Sequence, residues 1–294
     1  MESPIVLIAN PAAKRSSPGK IKRAVELLRS AGREVEVHLT EKRGDAEDFA
    51  RGASGRGASL LIAAGGDGTF NEVINGIAGT VTPMAILPLG TSNVLAKELG
   101  VPEEIAGAVK VALSGKVHLV SLGSIALTSG QSTRTRYFCL MAGIGFDGET
   151  VYSVSLSLKK YSGKGAYILS GLKTLMRYSP EKMTFTVDGK TFTGYSAIIG
   201  KASKYGGNFM ITPDARLSRP ELYAFIMHGK RRADLPRYAF GIVAGRHLGF
   251  KDVTYLRADA VRVEGNARVQ IDGDYIGTAP VDIAVAPDAL QLIY

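Results

Sequence analysis

The chain has 294 residues, 45% of them hydrophobic, which suits two domains with cores of their own. Its single cysteine, Cys139, excludes an internal disulfide framework and disfavours a zinc site. No stretch supplies the ~18 uninterrupted apolar residues of a membrane-spanning helix, and the first residues lack the basic segment of a signal peptide. The net charge of +9 fits an anionic partner such as nucleotide phosphate or an anionic membrane, and it fits equally a charge that only keeps the protein soluble. Nucleic acid is not expected, since aromatic residues do not alternate with the basic ones.

The first third of the chain alternates strand and helix patterns. Apolar runs and period-2 segments predict strands, and residues spaced three or four apart predict helices. This rhythm is typical of a mostly parallel sheet with helices on both faces. The predicted strands cover residues 4–10, 34–39, 60–64 and 84–87, and the predicted helices cover residues 17–31, 45–51, 69–77, 92–99 and 103–113.

From about Val117 onward, period-2 strands dominate, which predicts an antiparallel sandwich. Helical patterns interrupt it at residues 167–177 and 235–244. Two Asp-Gly pairs between alternating segments, Asp188-Gly189 and Asp272-Gly273, predict tight hairpins. The predicted strands cover residues 120–128, 137–142, 183–187, 191–199, 222–227, 253–263, 269–271 and 281–285.

The most informative motif lies in residues 60–75, where a buried strand runs into a glycine-rich turn and then a helix. Glycines let backbone N–H groups approach an anion without interference from a Cβ atom, and a helix N-terminus attracts phosphate. Asp67 suits a phosphate site if it holds Mg²⁺ or accepts a proton. Thr69 is expected to cap the helix. The expected phosphate-binding residues are Gly65, Gly66, Asp67, Gly68, Thr69, Phe70 and Asn71.

The Gly-Gly-Asp-Gly-Thr sequence at residues 65–69 resembles the diacylglycerol kinase catalytic family, which includes bacterial lipid kinases and sphingosine and ceramide kinases. A related Gly-Gly-Asp-Gly occurs in NAD kinases and phosphofructokinases. Residues 87–96 resemble the family's LP-x-GT-x-N segment, which is more diagnostic of lipid kinases and assigns Thr91 to the nucleotide site. The family resemblance also implies nucleotide contacts from Thr40 and from the turn after the first strand, formed by Asn10, Pro11, Ala12, Ala13 and Lys14.

Residues 271–274 form the last motif. From local pattern alone, Asp272-Gly273 is a hairpin turn, and residues 187–190 show the same pattern without any family match. The family carries Ile-Asp-Gly-Glu here, and its glutamate is the proton acceptor for the lipid hydroxyl. Asp274 replaces that glutamate and is shorter by roughly 1.5 Å, so either Asp272 shares the role or the backbone compensates.

The sequence departs from the family pattern at two further positions, and the second concerns a structural Mg²⁺ site. Ser121 stands where members often carry Asp, and Arg219 stands where a carboxylate ligand is expected. Because a cation cannot ligate Mg²⁺, we predict that this structural site is absent. A catalytic Mg²⁺ arriving with ATP is a separate matter, and Asp67 is its expected contact.

Two further segments match the family. Residues 142–147 place Asp147 either at the cleft between the domains or at a helix cap. Residues 159–177 combine basic and apolar side chains, which fits a membrane-facing surface or a packed helix with a basic outer face.

We therefore expect an α/β protein with a doubly wound, three-layer nucleotide-binding domain at residues 1–119. A mainly antiparallel β-sandwich at residues 120–294 is expected to bind lipid, and its last strand could return to the first domain. The resemblance implies an ATP- and Mg²⁺-dependent lipid kinase, in the cytoplasm at the inner face of the membrane, with Asp67, Asp272 and Asp274 as catalytic residues. It leaves a homodimer open. The alternatives are an NAD kinase-like enzyme with a soluble substrate and a catalytically weak protein that binds nucleotide or lipid.

Overall fold

A computed structural model describes residues 4–129, 132–158 and 178–294. The predicted helix at residues 167–177, and with it the basic segment at residues 159–177, lies outside the described residues. Among those described, no helix is long and apolar enough to cross a bilayer.

The first part of the chain follows the predicted alternation of strands and helices. The strands are β1 (Ile5–Ala9), β2 (Val35–Leu39), β3 (Leu60–Gly65) and β4 (Met84–Pro88), and the helices are α1 (Pro18–Ser30), α2 (Asp45–Gly55), α3 (Asp67–Ile77), α4 (Val94–Leu99) and α5 (Ile105–Ser114). The strands pair in parallel in the order β2-β1-β3-β4. Helix α1 packs against α5 and α2 packs against α3, which gives the two helical layers.

The second part is a sandwich of mainly antiparallel strands. Its strands are β5 (Val117–Ser129), β6 (Ser132–Phe138), β7 (Met141–Ile144), β8 (Met183–Val187), β9 (Lys190–Gly194), β10 (Ser196–Gly200), β11 (Lys204–Tyr205), β12 (Phe209–Met210), β13 (Leu222–Met227), β14 (Val253–Ala258), β15 (Ala260–Glu264), β16 (Arg268–Ile271), β17 (Asp274–Thr278) and β18 (Val281–Ile293). Its described helices are α6 (Phe146–Leu158), α7 (Asp234–Val243) and a 3₁₀ turn at His247–Gly249.

One large sheet joins the two parts of the molecule. Its order is β2-β1-β3-β4-β18-β15-β8-β9, with β5 paired to β18 and β6 paired to β5. Strand β18 pairs with β4 at Leu292 and Met84 and with β5 along most of its length. The second sheet, β14-β13-β10-β7-β16-β17, faces the sandwich half of the first across an apolar core. The predicted α/β architecture is confirmed.

Three predicted strands each proved to be two. The chain leaves one sheet and enters the other between β6 and β7, at Tyr195 between β9 and β10, and at Asp259 between β14 and β15. Period-2 alternation continues across each break because both sheets turn their apolar side chains toward the same core. Hydrophobic periodicity therefore does not reveal where a strand changes sheets.

Candidate functional site

The predicted nucleotide-binding residues meet at the carboxyl edge of the parallel strands. Asn10, which follows β1, donates its backbone N–H to Ala64 O at 2.9 Å, and Thr40, which follows β2, donates to Ala9 O at 2.9 Å. Leu89, after β4, donates to Gly65 O at 2.7 Å. Ligands bind to open α/β sheets at this edge, because the βα loops converge there.

Close packing between two loops explains two of the glycines. A Cβ atom on Gly90 would lie 2.5 Å from Gly66 Cα, and a Cβ on Gly65 would lie 2.4 Å from Thr69 Oγ1. A Cβ on Gly68, by contrast, would meet open space. The strand-end loops must therefore touch at Gly66 and Gly90, and Gly68 keeps the outer side of the turn open for a ligand.

Thr69 does not cap helix α3, and that prediction is wrong. The helix begins at Asp67 after Gly66, so Thr69 lies within its first turn and is buried. Its hydroxyl accepts a hydrogen bond from Asn10 Nδ2 at 3.3 Å, while Asn10 Oδ1 accepts the backbone N–H of Ala12 at 2.9 Å. Thr69 thus ties the turn after β1 to the turn after β3.

Asp67 takes part in the neighbouring helix instead. Its Oδ1 accepts the backbone N–H of Leu95 at 3.0 Å, which supplies a hydrogen bond to the first turn of α4. Its other oxygen forms no hydrogen bond with a described residue. A half-buried carboxylate oxygen at this edge suits a Mg²⁺ ion carried by a nucleotide.

Asn93 is a residue that the sequence analysis did not assign to the site. It is fully buried at a positive φ of 46°, and its Nδ2 donates to Gly90 O at 3.1 Å. Its Oδ1 has no hydrogen-bond partner among the described residues. An unpaired buried acceptor beside the Gly66–Gly90 contact is unusual, and it lies in the loop where nucleotide contacts are expected.

The remaining residues that are predicted to contact the nucleotide differ in their exposure to solvent. Pro11, Ala12, Lys14 and Thr91 are exposed, and Ala13 is half-buried. Phe70 is fully buried in the core and its N–H is bonded to Gly66 O, so it offers a nucleotide no free polar group.

Asn71 and Asp272 form a contact between the two domains rather than facing the nucleotide edge. Asn71 Nδ2 donates to Asp272 Oδ2 at 2.9 Å. The Asp272 carboxylate also accepts three backbone N–H groups at 2.9 Å, from Cys139, Leu140 and Met141. Burial raises its pKa, and these donors oppose that rise. Both oxygens of Asp272 thus anchor the hairpin, and its share in proton transfer stays a prediction.

Asp274 lies on the same hairpin and faces a cleft of about 790 Å³ between the domains. Its Oδ2 forms an ion pair with Arg43 Nη2 at 3.2 Å across the cleft. Burial raises its pKa, and the Arg43 and Arg136 guanidinium groups lower it. Arg43 and Arg136 had no motif to mark them in the sequence.

Glu72, one residue beyond Asn71 on α3, also lines this cleft. Its Oε2 accepts the backbone N–H of Ala46 at 3.3 Å and so holds the start of α2, just after Arg43. Burial raises the pKa of Glu72, two backbone N–H groups lower it, and the nearby Asp274 charge raises it. Glu72 therefore positions the loop that brings Arg43 to Asp274.

A buried hydrogen-bond chain supports the hairpin from behind. Gln270 Oε1 accepts the backbone N–H of Gly273 at 2.7 Å, and its Nε2 donates to Asp147 Oδ2 at 2.6 Å. The second Asp147 oxygen accepts from the Tyr205 hydroxyl. A Cβ on Gly143 would lie 1.8 Å from Asp147 Oδ2, so the glycine makes room for this carboxylate. Asp147 neither lines the cleft nor caps a helix; it lies in the first turn of α6.

A buried lysine binds carbonyl groups of the loop that contains Arg219, where we predict that the structural Mg²⁺ site is absent. Lys201 is fully buried, and its Nζ donates to Arg216 O at 2.5 Å, Arg219 O at 2.9 Å and Leu217 O at 3.3 Å. Leu217 O also accepts the backbone N–H of Ser121 at 2.9 Å. Burial lowers the pKa of Lys201 to about 8. An amino group thus binds three carbonyl oxygens of this loop, and the absence of the structural Mg²⁺ site stays a prediction.

Comparison with known proteins assigns both parts of the chain. Residues 4–125 match the model of the diacylglycerol kinase catalytic domain, and residues 142–294 match that of the YegS C-terminal NAD kinase beta sandwich-like domain. A Bacillus subtilis protein named diacylglycerol kinase is 32% identical, across 93% of this chain and 90% of its own length. A Staphylococcus aureus protein of the same name is 29% identical, across 94% and 87%.

Two solved structures share the fold. One is a crystal structure of a diacylglycerol kinase from Bacillus anthracis, with a TM-score of 0.71, 22% identity, and coverage of 99% of this chain and 97% of that one. The other is yeast NADH kinase in complex with NADH, with a TM-score of 0.55, 12% identity, and coverage of 99% and 83%. At these identities the likeness concerns the fold alone.

Proposed function

Because the chain belongs to the diacylglycerol kinase family, as its matches over both domains show, we propose that it is a lipid kinase that transfers a phosphoryl group from ATP to the hydroxyl of diacylglycerol or a related lipid. One observation supports this most: Asp274 faces an interdomain cleft on a hairpin bonded to α3, the helix that begins at Asp67. A hydrogen bond between α3 and the hairpin thus connects the groups expected for nucleotide and for acceptor.

The nucleotide edge binds and orients the phosphates. Backbone N–H groups at the start of α3, open beside Gly68, and the side chain of Lys14 are the proposed phosphate contacts. Asp67 is the proposed Mg²⁺ contact through the oxygen that Leu95 leaves free. When bound, Mg-ATP supplies the transferable γ-phosphoryl group and spreads its charge.

The cleft orients the acceptor. Asp274 accepts the proton of the lipid hydroxyl as the hydroxyl oxygen attacks, and the ion pair with Arg43 favours the ionised carboxylate against the effect of burial. Asn71 binds Asp272, two residues before Asp274, and lies one helical turn, or about 6 Å, along α3 from Asp67. This connection supports the proposal that the two sites act together.

The decisive experiment measures transfer of label from γ-labelled ATP to diacylglycerol in detergent micelles, with Mg²⁺ present. We expect Asp67→Asn and Asp274→Asn each to lower kcat by at least about 100-fold. At position 67 asparagine keeps the Oδ1 acceptor that Leu95 needs, and at position 274 it removes only an ion pair with an exposed arginine. Both variants should therefore unfold near the urea concentration of the unmodified protein. Full activity in both variants would refute the assignment.

The alternatives are arms of the same assay. The likeness in fold to yeast NADH kinase makes NAD the soluble acceptor to offer in place of lipid. Phosphorylation of NAD but of no lipid would favour the soluble-substrate kinase. ATP binding without turnover on any acceptor would favour a nucleotide- or lipid-binding regulatory protein.

A further inference from the structure

Helix α7 is apolar on two opposite faces, and the protein covers only one of them. Leu235 and Tyr238 are buried, and Gly241 lets the helix approach Phe250 closely. On the other side, Phe240 is 74% exposed and Val243 is 63% exposed. Residues three apart on a helix share a face, so these two side chains form one apolar ridge.

The short hairpin of β11 and β12 extends this ridge. Helix α7 packs against β12, where Phe209 is 45% exposed and Met210 is 54% exposed. Single exposed apolar side chains are ordinary, whereas four large ones on adjoining elements indicate a binding surface. We call these four residues, Phe209, Met210, Phe240 and Val243, the α7 surface.

Positive charge surrounds the α7 surface. Lys230 and Arg231 precede α7, and Arg246 and Lys251 follow it; all four are exposed, and none forms an ion pair with another described residue. The carboxylates beside the helix, Asp234 and Asp252, are both engaged by Arg237, at 3.8 Å and 3.0 Å. The net field at the rim is therefore basic.

The apolar surface and its basic rim together favour one kind of binding partner over another. A second copy of the chain, related by a two-fold axis, would bring two basic rims together and repel. An anionic bilayer accepts both features, because aromatic and aliphatic side chains enter the headgroup boundary while lysine and arginine bind lipid phosphates.

We propose that the α7 surface docks the protein on the anionic face of a phospholipid bilayer. This inference rests on the proposed function, since a kinase acting on a membrane lipid must work at the bilayer. The surface also connects to the site: Tyr205 of β11 donates to Asp147, which binds the Gln270 amide behind the Asp274 hairpin. A chain of hydrogen bonds thus links the hairpin of β11 and β12 to the hairpin that carries the proposed proton acceptor.

The test uses co-sedimentation of the full chain with vesicles of phosphatidylcholine, alone or mixed with phosphatidylglycerol. We expect tight binding only with phosphatidylglycerol, and binding about tenfold or more weaker for Phe240→Ser. The matched control is Val81→Ser, which removes a side chain that is 82% exposed in the loop between α3 and β4. Exchanging Arg246 and Lys251 for Gln should lower binding and its salt dependence.

Three results would overturn the proposal. They are equal binding of Phe240→Ser and the unmodified protein, equal binding of charged and uncharged vesicles, and a dimer in sedimentation equilibrium that Phe240→Ser converts to monomer. The last would assign the surface to a second copy of the chain.

Activity separates this inference from the proposed function. Phe240→Ser should phosphorylate a water-soluble, short-chain diacylglycerol at the unmodified rate and lose activity only on vesicles. If the unmodified protein phosphorylates no lipid yet binds vesicles through Phe240, the proposed function fails and the docking surface stands. If Phe240→Ser remains fully active on vesicles, docking through this surface fails and the kinase assignment stands.

Discussion

Two hairpins in the sandwich share a turn sequence and differ in what they do. In both, an aspartate and a glycine occupy the turn at positive φ: 45° and 82° for Asp188 and Gly189, and 48° and 91° for Asp272 and Gly273. Both carboxylates accept backbone N–H groups where the chain crosses between sheets: Asp188 binds Ala260 N at 2.9 Å, and Asp272 binds residues 139–141. The Asp-Gly pair is thus a structural device in each.

The two hairpins differ in the residue that follows the Asp-Gly pair and in the part of the molecule that lies next to the turn. Lys190 follows the first turn and is exposed, whereas Asp274 follows the second and faces the cleft. Among the described residues, only the second hairpin is hydrogen-bonded to the first part of the chain, through Asn71 of α3. The turn holds the strand crossing together in both hairpins, and the proposed function assigns the difference between them to one added carboxylate and to the contact with α3.

The largest expected effect is at the position that follows the Asp-Gly pair. Asp274→Asn should lower kcat by about 100- to 10,000-fold, because it removes the proton acceptor while keeping the side chain's shape. Lys190→Ala, at the matching position, should leave activity unchanged. Steady-state kinetics on micellar diacylglycerol measures both, and comparable losses in the two variants would mean that the hairpins matter only for folding.

A second difference concerns stability. Asp272→Asn should destabilise the protein by about 2–4 kcal/mol, because a buried carboxylate with four donors is replaced by an amide that can accept from only one side. Asp188→Asn should lose under about 1 kcal/mol, since Asp188 is exposed. Urea unfolding provides the measurement. Equal losses would show that the contact with Asn71 and the burial of Asp272 add nothing.

The hairpins also show what the sequence could and could not predict. The Asp-Gly turns and the strand–turn–helix motif at Asp67 follow from local pattern, because φ, capping and periodicity act over a few residues. The residues that contact the hairpin cannot be predicted from local pattern. Arg43 meets Asp274 across 231 positions of sequence, and Asn71 meets Asp272 across 201. Nothing near Arg43 marks it as a partner, since only the folded sheet order brings these loops together.

The same limit explains why local pattern did not show the hydrogen-bond partners of Thr69 and Asp272. Thr69 has the sequence context of a helix cap, but the amide of Asn10 binds its hydroxyl. The motif predicts Asp272 as a second catalytic carboxylate, but backbone N–H groups donate to it where the chain crosses between the sheets. In each case a donor distant in sequence competes for an oxygen atom that local reasoning treats as free.

Gln270, which supports the hairpin that carries Asp274, allows a test with a smaller expected effect on activity. Gln270→Met removes the acceptor for Gly273 N–H and the donor to Asp147, so the Asp274 loop should shift slightly. We expect kcat to fall about tenfold, with the KM for ATP unchanged, because misplacement acts on the acceptor side of the cleft. Thr186→Met, three residues before Gly189, is the matched control in the other hairpin. A change in ATP affinity would contradict a positioning role confined to the hairpin.

The smallest expected effect is a shift in the pH dependence of the reaction. Burial raises the pKa of Asp274, and the Arg43 guanidinium opposes that rise by favouring the ionised form. Arg43→Ala should therefore raise this pKa further, so that less base is available at a given acidic pH and the acid limb of kcat/KM moves to higher pH. Arg43→Lys keeps a cation and should shift it less. Arg134→Ala is the control, because Arg134 lines the same cleft without affecting the Asp274 pKa to a comparable extent. An unmoved acid limb in Arg43→Ala, or the same shift in both alanine variants, would show that the cross-cleft ion pair does not tune the proton acceptor.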